Sequence, residues 1–467
     1  MYKNAFMKSW WVILFSLTLG VAQAQTNEKQ FIRQVFDSSL VHGQSWPMLE
    51  HLCKKIGHRL SGSPQAQQAV LYTRSQMLKL GFDSVWLQPV MVPVWVRGPK
   101  ETAYLLVNKR TAGGLIQQQK IAVEVLALGG SVATPPGGLQ APVIEVAGIE
   151  ALKKMRPEEV QNKIVFLNEA FDPRHISTFE SYGHCVANRA WGAKEAGAKG
   201  AAGVIVRSMT HRIDAFPHTG AMQYAEGGRK IPAAAISTLH AEQLSKLLKE
   251  KNEVLLYLEM HCESRPDTLS FNVVGQINGS SPNARIIAVG GHLDSWDVGE
   301  GAHDDGVGCV HSIEALRLLK ANGYKPKNHL RAIMFMNEEN GLRGAVEYAR
   351  LAGINNENHL AAIESDRGGF SPRAFTVEAD SALIAGLQPW VPLLSPYGIN
   401  SIQAGGSGAD VGRLRGKSEL LMGFVPDSQR YFDYHHAASD VLEAVNKREL
   451  ELGSATIAAL LYLIDQR

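Results

Sequence analysis

The chain has 467 residues, 45% of them hydrophobic and 20% charged, the make-up of an ordinary globular protein long enough for two or three cores. A formal net charge of +2, with acidic and basic residues interspersed, excludes a strong surface field, so neither nucleic acid nor an anionic membrane is an implied partner. Four cysteines in so long a chain exclude a disulfide scaffold, and their spacing matches no Cys-x-x-Cys metal or redox pattern.

At the N-terminus, Lys3 and Lys8 precede the apolar stretch from Trp10 to Val21, and Ala22-Gln-Ala24 then offers a small-x-small cleavage pattern. The stretch is short for a bilayer span, so residues 1–24 read as a secretory signal, with a retained anchor as the alternative. The mature protein is therefore expected to be exported, periplasmic or extracellular, and not held in a membrane. One disulfide among Cys53, Cys185, Cys262 and Cys309 stays open, with Cys309 expected as a buried thiol on a helix.

Ser63-Pro64 supplies a helix cap and a first-turn proline, and Gly81 closes that helix. Phe82 to Trp95 alternates as a strand that Pro93 confines to an edge or an end, and Tyr104-Leu-Leu-Val-Asn is a second short strand. From about Leu115 to Glu263, short Val/Ile-rich runs such as Ile121–Leu128, Ala141–Val146, Lys163–Leu167, Ala202–Val206 and Pro232–Ile236 alternate with Gly and Pro, the texture of a β-rich module. A small-residue helix near Ala193 and another through Leu244, Leu247 and Leu248 interrupt it. Its histidines, His175, His184, His211, His218, His240 and His261, are scattered and read as polar surface.

From Phe271 onward strands (Phe271–Ile277, Ile286–Gly291, Leu330–Met336, Leu360–Ile363) alternate with helices (near Val307–Ala321, Leu342–Ala352 and Lys447–Asp465). That alternation predicts an α/β fold with a mixed, mostly parallel sheet flanked by helices. The expected division is 1–24 signal, 25–114 and 264–467 two parts of one catalytic domain, and 115–263 an inserted module.

The strand ends carry the chemistry. Strand Ile286–Gly291 delivers His292, and the Gly-rich loop beyond it carries Asp304-Asp305 into a helix. Strand Leu330–Met336 runs into Asn337-Glu338-Glu339, strand Leu360–Ile363 into Glu364-Ser-Asp366, and Tyr434-His435-His436 brings imidazole back late in the chain. Ligands in open α/β sheets sit at the carboxyl ends of the strands, so these segments predict one oxygen- and nitrogen-rich metal pocket. Imidazoles and carboxylates suit zinc, and five ligands exceed one tetrahedral ion but serve two ions about 3.5–4 Å apart that share a carboxylate. The pair Glu338-Glu339 then supplies one ligand and one free general base. Asp294, two residues after His292, is placed to hold the imidazole's other N–H.

Gly-Gly-His292-Leu-Asp-Ser-Trp, Gly-Ala-His-Asp304-Asp305-Gly-Val-Gly, Asn-Glu338-Glu339-Asn-Gly, Glu-Ser-Asp366 and His436-Ala-Ala-Ser-Asp440 together resemble the zinc aminopeptidase and glutamate carboxypeptidase superfamily, over nearly the whole mature chain. The resemblance implies the zinc exopeptidase fold, and a protease-associated domain where the β-rich module lies. It implies two zinc ions: His292 and Asp366 on one, Glu339 and His436 on the other, Asp304 bridging, and Glu338 moving the proton from the attacking water to the leaving amine. Asp305 would follow a cis peptide bond. His436 rather than His435 is the implied ligand because Asp440 stands four positions after it; Tyr434 and His435 become candidate substrate contacts.

The expected activity is that of a secreted di-zinc exopeptidase on dipeptides or short peptides, with an aminopeptidase acting on longer peptides as the alternative. A homodimer stays open. Two other classes compete. A non-catalytic receptor on the same fold is disfavoured by the complete ligand set. A serine hydrolase built on Ser407, in Gly-Gly-Ser-Gly-Ala-Asp410, is disfavoured by Ala409 where a nucleophile elbow needs glycine. Arg343, Arg367 and Arg413 are the candidates for a substrate carboxylate.

Overall fold

Residues 27–110, 116–250 and 253–467 are described in a computed structural model of the chain; the expected signal at 1–24 lies outside them. Two eight-stranded sheets organise these residues. The first runs in the order Ser84–Val96, Glu263–Ile277, His329–Phe335, Ile286–His292, His359–Glu364, Ser418–Pro426, Pro372–Glu378, Ser401–Ala404. Its central strands are parallel, and antiparallel strands flank them on both sides.

Ile286–His292 is buried along its whole length, as a strand covered on both faces must be. Ile287 and Val289 join a core formed with helices Val307–Ala321 and Lys447–Gln466, whereas Ile286 and Ala288 face the core of helix Arg343–Ile354. The strand pairs with His329–Phe335 on one side and His359–Glu364 on the other. This is where strand order reverses, and so where a crevice opens beyond the strand ends. Pro93 lies in the edge strand as expected, and the register with Glu263–Ile277 shifts between Val92 and Val94 around it. Ser63 caps its helix by accepting from the Ala66 N–H at 3.0 Å.

The second sheet runs Ile116–Ala122, Thr102–Arg110, Glu253–Glu259, Leu139–Val146, Ile164–Leu167, Gly203–Arg207, Ala233–Ile236, Val125–Ala127. Its middle strands are parallel, and the helix against them, Thr178–Ala198, is far longer than the short segment expected near Ala193. The region expected to be β-rich is thus itself α/β. The run Ile121–Leu128, read as one strand, breaks at Val123-Glu124 and sends its halves to opposite edges of the sheet. A boundary at 114/115 would separate Thr102–Arg110 from Ile116–Ala122, which pair along their length. The change of texture there marks the gap between two partnered strands. All four cysteines are free and buried, so no disulfide forms among them.

Candidate metal centre

Each functional side chain is placed by a strand end or by the loop that follows it. His292 ends the central strand, and Asp304 sits in the turn before helix Val307–Ala321, where the Asp304–Asp305 peptide bond is cis. Glu338 and Glu339 follow His329–Phe335, Asp366 follows His359–Glu364, and His436 lies in the loop after Ser418–Pro426. Asn337 and His436 have φ of 73° and 62°, the left-handed region that costs a histidine more than an asparagine.

The five residues expected to hold metal converge on two clusters that share one carboxylate. His292 Nε2 lies 3.2 Å from Asp304 Oδ1 and 3.5 Å from Asp366 Oδ1. His436 Nε2 lies 3.3 Å from Asp304 Oδ2 and 3.1 Å from Glu339 Oε2. His435 stacks on His436 with ring centroids 3.5 Å apart, but its Nε2 is 3.9 Å from Asp304 Oδ2.

The protons on the two imidazoles decide what these contacts mean. His292 Nδ1 is 2.9 Å from the main-chain oxygen of Asp294, which can only accept, so Nδ1 carries a hydrogen and Nε2 of the neutral ring is left with the lone pair. His436 Nδ1 is 3.2 Å from the main-chain oxygen of Thr219, an acceptor. Arg189 Nη1 stands 3.3 Å from that nitrogen and also reaches the Thr219 oxygen at 3.4 Å. Each Nε2 faces carboxylate oxygens inside a buried site, so a cation, either a proton or a metal ion, has to lie between them. Asp304 Oδ2 and Asp366 Oδ1 are buried with no hydrogen-bond partner, a costly state unless a cation lies between the facing acceptors. Two imidazoles and three carboxylates are the donor set that zinc takes, so the residues fit the metal.

The electrostatics agree. Burial pushes His292 down, yet Asp366 and Asp304 hold it well above its ordinary range; His436 is likewise held up to about 9 against burial by Glu339 and Asp304. Burial opposes ionisation of Asp304, but contact with His292 and His436 keeps it well below the usual carboxylate range. Burial lifts Glu339 to about 7, with Asp304 adding to the shift. Glu338 is raised well above its ordinary value by burial, with Asp366 and Glu339 beside it. A pocket this rich in carboxylates calls for positive charge.

Three further carboxylates brace the backbone of these segments. Asp305 accepts from the His292 N–H at 3.0 Å and the Gly308 N–H at 2.9 Å. Asp440 accepts from the His303 and Asp304 N–H groups at 2.7 and 3.2 Å. Asp294 behaves differently from expectation. Its main-chain oxygen, not its carboxylate, meets His292, because the carboxylate is turned to accept from the N–H groups of Asn337, Glu338 and Glu339 at 2.7, 3.1 and 3.4 Å. Arg59, which the sequence reading missed, is fully buried and donates to the main-chain oxygens of Leu293, Glu300 and Gly301, pinning the loop between His292 and Asp304.

The clusters open into a cavity of about 240 Å³. Glu338 and His435 line it, but Tyr434 does not: its ring stacks on His303, and Tyr431 lines the wall instead. Helix Thr178–Ala198 contributes Phe179, Tyr182 and Arg189 from the second sheet's side, residues that no local sequence signal marked. His218, expected on the surface, is buried, and burial with His436 nearby pushes it down to about 3. Ser407 is buried and spends its hydroxyl on Glu378 at 2.7 Å, which removes it as a nucleophile. Arg343 pairs with Asp267 and Arg413 is exposed, while the Arg367 guanidinium sits 5.4 Å over the Phe179 ring at the cavity's edge.

Residues 272–461 match Peptidase family M28. Carboxypeptidase Q of Homo sapiens is 33% identical over 421 residues, covering 90% of this chain and 85% of that one. A peptidase M28 precursor of known structure from Shewanella amazonensis superposes with a TM-score of 0.88 at 32% identity, over 94% of this chain and 97% of the other. A zinc aminopeptidase from Bacillus subtilis has the same fold, with a TM-score of 0.62 at 21% identity over 90% of this chain and 94% of its own. Identity with carboxypeptidase Q extends well beyond the residues around the clusters, and on that footing the chain belongs to peptidase family M28 and is a metallopeptidase.

Proposed function

We propose that this protein is an exported exopeptidase that binds two zinc ions and hydrolyses dipeptides or short peptides. The observation that carries the reading is the pair of clusters sharing Asp304, each setting an imidazole Nε2 against carboxylate oxygens at 3.1–3.5 Å. His292 and Asp366 would hold one ion, His436 and Glu339 the other, and Asp304 would bridge them. Zinc bound there supplies polarisation of the scissile carbonyl and an acidified water. Glu338, on the cavity wall and outside both clusters, takes the proton of the attacking water and delivers it to the leaving amine. Asp294 keeps Glu338 at its station through the backbone, while Asp305 and Asp440 do the same for His292 and Asp304.

Short substrates follow from the room available. A cavity of about 240 Å³ is smaller than the roughly 300–1,000 Å³ of sites for drug-sized ligands, and Phe179, Tyr182, Tyr431 and Phe432 wall it. The helix bearing Phe179 and Tyr182 belongs to the second sheet, which we take as a module inserted in the catalytic domain between about Thr102 and Glu259. Export rests on the signal-like residues 1–24; among the described residues no helix is long and apolar enough to cross a membrane.

The reading is tested with free, N-blocked and C-blocked dipeptides and with Glu338→Gln. Free dipeptides are expected to be cleaved and both blocked forms spared. The variant should keep its metal and lose about 10²–10⁴-fold in turnover. Cleavage of C-blocked and longer peptides at undiminished rate would make the enzyme an aminopeptidase, and full turnover in the variant would remove Glu338 from the mechanism.

A further inference from the structure

We propose that His175, Glu180 and His184 form a peripheral site for a divalent transition-metal ion of the zinc or copper class, sharing no residue with the catalytic clusters and independent of the reading above. One ligand atom from each of the three lies within 4.8 Å of the others. Glu180 and His184 stand one turn apart on helix Thr178–Ala198, and His175 approaches from the loop before it.

The orientation of His175 is already settled. The Ser181 hydroxyl donates to the main-chain oxygen of Asp172 at 3.1 Å, so it can only accept from His175 Nδ1, 3.0 Å away. Nδ1 therefore carries a hydrogen, and Nε2 of the neutral ring turns its lone pair toward Glu180 Oε1 at 3.4 Å. With the ring neutral two acceptors face each other, and a cation between them, metal ion or proton, resolves the conflict. The His184 ring stands edge-on to His175, centroids 5.0 Å apart, and completes two imidazoles and one carboxylate. That is a recurrent zinc donor set with a fourth position left for water. Arg174, beside His175 in the chain, is engaged by the Asp172 carboxylate.

An ion here would fasten the loop to the helix whose Phe179 and Tyr182 wall the catalytic cavity. The same stretch is tied to the first sheet's side by Thr178 Oγ1 donating to the Ser428 oxygen and Gln429 Nε2 donating to the Ile176 oxygen, both at 2.7 Å. Occupancy would stiffen one wall of the substrate site without touching the reacting atoms.

The test is equilibrium dialysis of the full enzyme against micromolar free zinc, with metal per chain counted by elemental analysis. The wild type should hold one equivalent more than a His175→Gln, His184→Gln double variant. His292→Ala should lower the totals while leaving that difference intact. With copper in place of zinc, the wild type should show an additional electron paramagnetic resonance signal with two-nitrogen coupling, absent from the double variant. Glu180→Gln, at an exposed position, should weaken the additional equivalent without unfolding the protein. Equal zinc in wild type and double variant, or copper spectra that match, would overturn the proposal and leave a proton as the bridging cation.

Discussion

The Thr219 main chain grips His436 twice: its oxygen lies 3.2 Å from His436 Nδ1, and its N–H donates to the His436 carbonyl at 2.9 Å. A segment of the second sheet's side thus fixes the tilt of a residue expected to hold metal, which makes that side part of the cluster and not only a cover over it. Gly220 is the weak point, since its φ of 138° is rarely adopted by residues with a side chain and an added methyl would strike the Arg189 guanidinium. Gly220→Ala should fold, as circular dichroism will show, but bind metal about 10–100-fold less tightly, the usual effect of losing support for a ligand. Unchanged affinity would mean that His436 holds its place without Thr219.

Asp294 offers a different separation of effects. Its carboxylate gathers three successive N–H groups, those of Asn337, Glu338 and Glu339, so both glutamates depend on it. Asp294→Asn replaces one accepting oxygen by an NH2 group that points hydrogens at backbone donors, at a cost of about 1–3 kcal/mol where the site is buried. Metal content and turnover should fall together in this variant, whereas Glu338→Gln should lower turnover alone. Measuring zinc per chain beside kcat distinguishes them, and an Asn variant with full metal and impaired turnover would contradict the shared dependence.

Chelation should act on the fold as well as on the reaction. Without a metal ion, Asp304 Oδ2 and Asp366 Oδ1 are buried with only imidazole nitrogens facing them, and the carboxylates around them repel. A ligand present at 100 times its dissociation constant stabilises the folded chain by about 2.7 kcal/mol. Calorimetry should show Tm falling by several degrees on chelation and returning with zinc, in step with dipeptide hydrolysis. A Tm indifferent to the chelator would mean the clusters hold no ion.

Much of the centre is legible in the sequence because polar residues there follow mainly apolar runs: His292 after Ile286–Gly291, Glu338 after Leu330–Met336, Asp366 after Leu360–Ile363. Runs of that length bounded by turn residues are what strands buried on both faces require, and helix Val307–Ala321 lies where its pattern places it. Residues that come from afar leave no such trace. Phe179, Tyr182, Arg189 and Thr219 reach the site only because the two sheets' sides meet, and their own neighbourhoods read as an ordinary helix and loop. Tyr434 and Tyr431 differ in role because a tight turn separates them, and a turn has no period from which to infer facing. The strands Pro372–Glu378, Ser401–Ala404 and Ser418–Pro426 went without a clear signal, the first opening on Pro372-Arg373, the second only four residues long, and the third broken by Gly423 and ended by Pro426.

Acid should unfold the protein partly through His359, which lies well away from both clusters. Its Nε2 accepts from the Tyr348 hydroxyl at 2.9 Å, and that hydroxyl in turn accepts from Arg331. Burial, helped by the charge of Arg331, pushes His359 down to about 4. In the unfolded chain a histidine takes up its proton near pH 6.5. Between those values the unfolded state binds the extra proton, so this contribution to stability is complete above about pH 6.5, declines as the pH falls, and is gone by about pH 4. The slope in that window is at most about 1.4 kcal/mol per pH unit, or about 3 kcal/mol in all. Urea unfolding of wild type and His359→Gln across the window isolates the residue, since metal release and the remaining buried histidines act on both proteins alike. The variant's stability should fall more gently with acid, and parallel curves for the two would show that His359 is charged in the folded state.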